Sequence, residues 1–223
     1  MNVNDLKIIF VDVLIKQALP LTLQLTFASL LYSIIIGFTL GVVRSFRIPG
    51  IDMILGIYAQ IARAVPEMLI LLFLYAYLTK GSVFSISVTA ISLVQGAYIM
   101  EIIKGSLLSV NAGQWEAARS LSLNTFTTLF NIIIPQILLI ALPALVGQFV
   151  LLVKSTSVAS TIGCLELTRR AQLILPRYPF PLAIYGMVLI IFFATCHILT
   201  MLGEIFEKKV TKLIMGSENE CSV

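Results

Sequence analysis

The sequence predicts an all-α integral membrane protein with five transmembrane helices, and three observations carry that reading. Of its 223 residues, 59% are hydrophobic and 12% charged, whereas soluble domains are roughly half apolar and one-quarter charged. Uncharged apolar runs recur near the length of about 20 residues that a helix needs to cross a hydrocarbon core. Once these runs are set aside, too little polar chain remains for a second, water-soluble catalytic domain.

The first span, 18–43, carries no charge and contains Gly37 and Gly41 at the Gly-x-x-x-Gly spacing that lets membrane helices approach closely. The second, 51–78, is interrupted by Arg63 and Glu67 on either side of Pro66. The third, 83–100, is apolar until Glu101, the fourth, 129–153, is free of charge, and the fifth, 182–205, is charge-free until Glu204. This divides the chain into an outer N-terminal segment at 1–17, a transmembrane domain at 18–206 and a cytoplasmic tail at 207–223. Met1 to Lys16 carries acids as well as lysines, and the apolar run after it is too long for a signal-peptide core, so no cleavage is expected.

Two connections are informative. Residues 111–128 repeat with a helical period, and Asn111 followed by Gln114 has the spacing of a capping box, so short helices outside the membrane core are expected there. Residues 154–181, with Arg169, Arg170 and three prolines, are too polar to span and too apolar for a flexible linker, which predicts packing at the membrane surface.

The formal charge of +4 is spread between apolar runs, as membrane-flanking lysines and arginines are, and does not form a nucleic-acid patch. Cys164, Cys196 and Cys221 lie far apart and His197 is the sole histidine, so no zinc or disulfide spacing can be assembled. Lysine and arginine numbers are nearly equal on the two sides and do not fix orientation, although Lys208, Lys209 and Lys212 after the last span favour a cytoplasmic tail.

The segment Gly113-Gln114-Trp115-Glu116-Ala117-Ala118-Arg119-Ser120-Leu121, followed by Ile132 and Pro135, resembles the EAA loop of permease subunits of ABC importers. Gly96-Ala97-Tyr98, Glu101-Ile102, Lys104-Gly105, Lys154-Ser155-Thr156-Ser157, Ile162-Gly163 and Glu166-Leu167 stand around it in the order found in the polar amino-acid subfamily, and Arg63 and Pro66 match its Arg-x-x-Pro pair. The resemblance implies a type I ABC importer permease fold in the bacterial inner membrane. It also implies a separate ATPase subunit carrying ATP and Mg, an external substrate-binding protein, a second permease subunit, and no cofactor in this chain. By matching position, Gly113, Glu116, Ala117, Ala118, Ser122 and Pro135 form the ATPase-coupling loop, which must then be cytoplasmic, with the N-terminus outside. The chain departs from the pattern twice: Ser122 stands where the family has glycine, and Glu67 where it has an apolar residue. If that glycine serves a positive φ, serine costs roughly 1 kcal/mol; if it serves close packing, serine's small side chain suffices.

No Gly-x-x-x-x-Gly-Lys-Ser/Thr phosphate loop occurs in the chain, so energy is expected from another subunit. Ionisable groups cost about 2.5 to 3.5 kcal/mol at a membrane midplane and are functional candidates by default. Arg63, Glu67, Glu101 and Lys154 qualify, and Gln95, Gln148, Ser155, Thr156 and Ser157 supply donors and acceptors for an amino acid. Arg63 and Glu67, four apart, either pair with each other or leave Glu67 to a cationic substrate, which favours basic amino acids. The alternative class is an ATPase-independent secondary transporter or channel, against which the Glu116 region argues.

Overall fold

A computed structural model describes residues 7–220, with side chains through Lys212. Its regular structure is helical throughout. The first helix, α1 (Leu19–Ser45), is preceded by a wide-turn run, Ile8–Ala18, so the helical chain begins ten residues before the expected start of the first span. Pro20 explains the change of winding: a proline ring clashes with the carbonyl four residues back, and an expanded turn relieves that clash. Cys221, like residues 1–6 of the expected outer segment, lies outside the described residues.

The second span is broken. It forms α2 (Ile51–Ala64) and α3 (Glu67–Tyr77), bent by 108°. Pro66 lacks an N–H and forces the residue before it out of helical geometry, and Val65 accordingly lies at ψ 132°. Four other helical runs are long and apolar enough to cross a membrane, and this bent pair makes a fifth when its two halves are counted as one span.

The central helix is α4 (Val83–Ser109), opened by Ser82, whose hydroxyl accepts the Ser85 N–H at 3.1 Å. Apolar and small residues are buried on all its sides, unlike the outer helices, whose apolar faces are exposed for lipid. Against it lies the α1 stripe of Leu25, Ser29, Ser33, Gly37 and Gly41, buried at every fourth residue. Gly37 and Gly41 meet α4 with no room for a side chain: a Cβ on Gly37 would stand 2.5 Å from the Ile99 side chain. The Gly-x-x-x-Gly reading of the sequence is thus a helix–helix contact.

After α4 come α5 (Ala112–Ser120) and α6 (Thr125–Thr128), the short helices expected between the third and fourth spans. The fourth span runs through a wide turn at Leu129–Ile133 into α7 (Ile134–Ser155), again with a proline, Pro135, just after the wide turn. It tightens into a 3₁₀ stretch, Thr156–Ile162, ended by Gly163 at φ 88°. Then α8 (Leu167–Ile174) packs on the N-terminal wide-turn run in a cluster that includes Ile9, Leu14, Leu167 and Ala171. Glu166 caps α8, accepting the N–H groups of Thr168 and Arg169 at 2.8 Å, and burial pushes its carboxyl up to about 7. The last helix, α9 (Pro181–Glu220), continues past the expected end of the fifth span into the tail segment.

Candidate functional site

Three helices bring polar side chains to one cavity of about 430 Å³, lined among others by Glu67, Gln95, Tyr98, Gln148, Lys154 and Ser155. Its size falls in the range of small-molecule sites. The break at Pro66 makes the site possible, because it places Glu67 at the first position of α3, where the bend faces α4 and the end of α7.

The side chains form one directed chain of hydrogen bonds. The Gln148 amide donates to Gln95 Oε1; the Gln95 amide donates to Ser155 Oγ at 2.9 Å and to Glu67 Oε1 at 3.5 Å; the Ser155 hydroxyl donates to Glu67 Oε2 at 2.7 Å. Every donor points toward Glu67, so the bonds polarise one another in the sense that stabilises negative charge there. An ionised carboxylate has about four lone-pair sites, and two are taken, which leaves acceptor capacity on a residue that lines the cavity.

The possible Arg63–Glu67 pair does not form. Four-residue spacing aligns side chains only on a continuous helix, and the 108° bend separates these two. Arg63 instead donates to the Ala59 carbonyl at 3.2 Å and lies 3.8 Å from Glu101. Glu101 also pairs with Arg44, Arg44 with Asp52 at 3.0 Å, and Asp52 with Lys104 at 3.1 Å. Arg63 and Glu101 therefore belong to an ion network joining α1, α2 and α4, separate from the Glu67 cavity. Among the described residues no ion pair joins Glu67 to Lys154, although both line the cavity. Thr156 and Ser157 do not join the chain either: their hydroxyls donate to the carbonyls of Val153 and Lys154.

Sequence reasoning passed over Tyr98, Asp52 and Arg44. Tyr98 had a usable signal, since it lies three residues beyond Gln95 and hence on the same helical face. Asp52 had none, because its partners come from two other helices.

At the other end of the molecule, α5 carries the Glu-Ala-Ala segment. Asn111 Oδ1 accepts the Gly113 N–H at 2.8 Å, a cap on the second helical position; the expected reciprocal bond from the Gln114 side chain is absent among the described hydrogen bonds. Glu116 and Ala117 are exposed, while Ala118 is turned inward and buried. The helix closes with Ser122 N–H on the Arg119 carbonyl at 2.9 Å and Leu123 N–H on the Ala118 carbonyl at 3.0 Å, the two bonds of a Schellman motif. Ser122 stands at its left-handed position with φ 56°, where glycine is usual. Of the two roles open to a glycine here, the backbone one applies. Ser122→Gly is expected to stabilise the protein by about 1 kcal/mol, raising its midpoint of thermal unfolding in detergent; a lower midpoint would show that the serine makes a compensating contact.

The sequence profile of the "binding-protein-dependent transport system inner membrane component" family matches residues 33–212. The L-cystine transport system permease protein TcyB of Bacillus subtilis (strain 168) is 32% identical over 199 residues, covering 86% of this chain and 85% of that protein. A probable glutamine ABC transporter permease protein, GlnP, of the same organism is 32% identical over 199 residues, 85% of this chain and 90% of that one. Among solved structures, a chain of an amino acid ABC transporter crystallised with histidines superposes with a TM-score of 0.83 at 29% identity, covering 94% of this chain and all of that one.

Proposed function

The chain belongs to the binding-protein-dependent transport system inner membrane components, as an ABC importer permease of the amino-acid type in the bacterial inner membrane, and from that premise we propose that it passes a polar amino acid inward through the Glu67 cavity, driven by a separate ATPase docked on α5. The single observation that carries the substrate half is the unfilled acceptor capacity of Glu67. A carboxylate fed by two neutral donors and without a cationic partner among the described residues is complementary to an ammonium group. Lys154, which lines the same cavity, would receive a carboxylate. A zwitterion would satisfy both charges, and the unengaged acceptor sites favour a substrate with a second cationic group, as in basic amino acids.

The energetic half rests on α5. A short helix exposing Glu116 beside the small Ala117 makes a rigid knob with a carboxylate at its tip, suited to a cleft with basic residues on the ATPase. ATP and Mg would be held by that subunit, a binding protein would deliver substrate outside, and a second permease, identical or related, would complete the pathway.

The test is co-expression with the cognate ATPase. The wild-type chain is expected to co-purify with it, whereas Glu116→Lys, which puts a like charge against the partner's basic cleft, lowers the retained ATPase by at least tenfold, about 1.4 kcal/mol, with membrane insertion intact. Equal retention and equal uptake in the variant would remove Glu116 from the coupling surface.

A further inference from the structure

The coupling helix has two faces, and only the outer one is used by the reading above. The inner face carries Trp115, the sole tryptophan of the chain. Trp115 packs against a buried cluster that includes Ile103 and Leu107 of α4, Leu129 and Ile133 of the wide turn, and Ile137 of α7, and Phe38 and Val42 of α1 pack against the same cluster. Side chains of three spans thus belong to the one cluster on which this indole packs. The other inward residue of α5, Ala118, is buried but has no length to extend into the cluster.

The flank of the helix is otherwise open. A cleft of about 270 Å³ separates it from the ends of α1 and α4, bordered by Phe46, Leu108, Trp115, Arg119 and Leu123. A helix that is closed by a Schellman turn, capped by Asn111 and detached along one flank moves as a small rigid body, and its displacement reaches the spans through whatever large contact it keeps. That contact is the indole.

We propose that Trp115 is a positioning residue for transport: it converts movement of the docked coupling helix into movement of α1, α4 and α7, while Glu116 and Ala117 only hold the ATPase. The proposal rests on the docking role assigned to α5 above and concerns the opposite face of that helix. A tryptophan that merely filled space would change how much protein folds, but not how much substrate each folded complex moves per ATP.

The experiment uses the full complex of permease, ATPase and binding protein in proteoliposomes, with labelled uptake and phosphate release measured together. Trp115→Ala is expected to co-purify with the ATPase at the wild-type subunit ratio and to transport at least tenfold less substrate per ATP hydrolysed. Trp115→Phe, which keeps an aromatic ring in the cluster, is expected to stay within about threefold of wild type, with Trp115→Leu between them. If Trp115→Ala cannot be purified, the Phe and Leu variants decide by whether their ratios fall in that order. A wild-type ratio in Trp115→Ala or Trp115→Leu, or loss of the ATPase from Trp115→Ala, overturns the proposal. Failure of the wild-type chain to bind any ATPase would overturn the docking reading instead.

Discussion

Glu67→Leu is expected to remove uptake of basic amino acids selectively, by about 30-fold or more, while weakening uptake of neutral polar amino acids far less. The size follows from a hydrogen bond to a charged group, about 2 kcal/mol, lost at a partly buried carboxylate. The carboxylate is the acceptor at the end of the chain that runs from Gln148 through Gln95 and Ser155, and it lines the cavity with acceptor capacity to spare. Leucine removes charge and acceptors together and leaves the Ser155 hydroxyl and one Gln95 N–H to find new partners, so a companion variant is needed. Glu67→Gln keeps the shape and an acceptor for Ser155 but carries no charge. If charge selects the substrate, Gln behaves as Leu does in the preference between arginine or lysine and glutamine. If Glu67 serves only to hold α3 against the end of α7, Gln retains wild-type uptake and preference, and the proposed cationic selectivity fails.

The contrast between what was and was not legible in the sequence is clearest around this residue. Spans and the short helices between the third and fourth of them were readable because each depends on local properties, apolar length and a short helical period, whereas 51–78 reads as one interrupted span and Pro66 in fact breaks it into two helices. Gln95, Gln148 and Ser155 were found as isolated polar groups at membrane depth, but their convergence on Glu67 was not readable, since it depends on a bend of 108° whose direction no local rule gives. The same bend separates Arg63 from Glu67 and sends it toward Glu101, so the sequence spacing suggested a pair that the backbone prevents. Ser122 shows the opposite case. Its departure from the family glycine framed a choice between backbone and packing roles, and a φ of 56° settles it for the backbone.

Gly37→Val is expected to have the largest effect on assembly of the fold itself. Where α1 crosses α4 the two backbones are in contact: a Cβ at Gly37 would lie 2.5 Å from Ile99 and 2.9 Å from the Gly96 carbonyl oxygen, and one at Gly96 would lie 2.9 Å from Ile36. Overpacking a membrane or soluble core costs about 1 to 3 kcal/mol when side chains can shift. Here one neighbour is a backbone carbonyl of a helix buried on all sides, which cannot rotate away, so the cost lies at or above the upper end of that range. A protein stable by roughly 5 to 15 kcal/mol loses much of its margin. Because α4 also carries Gln95 and Tyr98, any separation of α1 from α4 that admits the valine displaces the cavity wall as well. The expected result is a marked fall in monodisperse protein extracted in detergent and in its midpoint of thermal unfolding, with Gly37→Ala intermediate. Gly186→Val on α9 is the control, because nothing lies within 4 Å of a Cβ there. Equal behaviour of Gly37→Val and Gly186→Val would mean that α1 and α4 are not held at glycine distance, and the close crossing on which the cavity geometry depends would have to be abandoned.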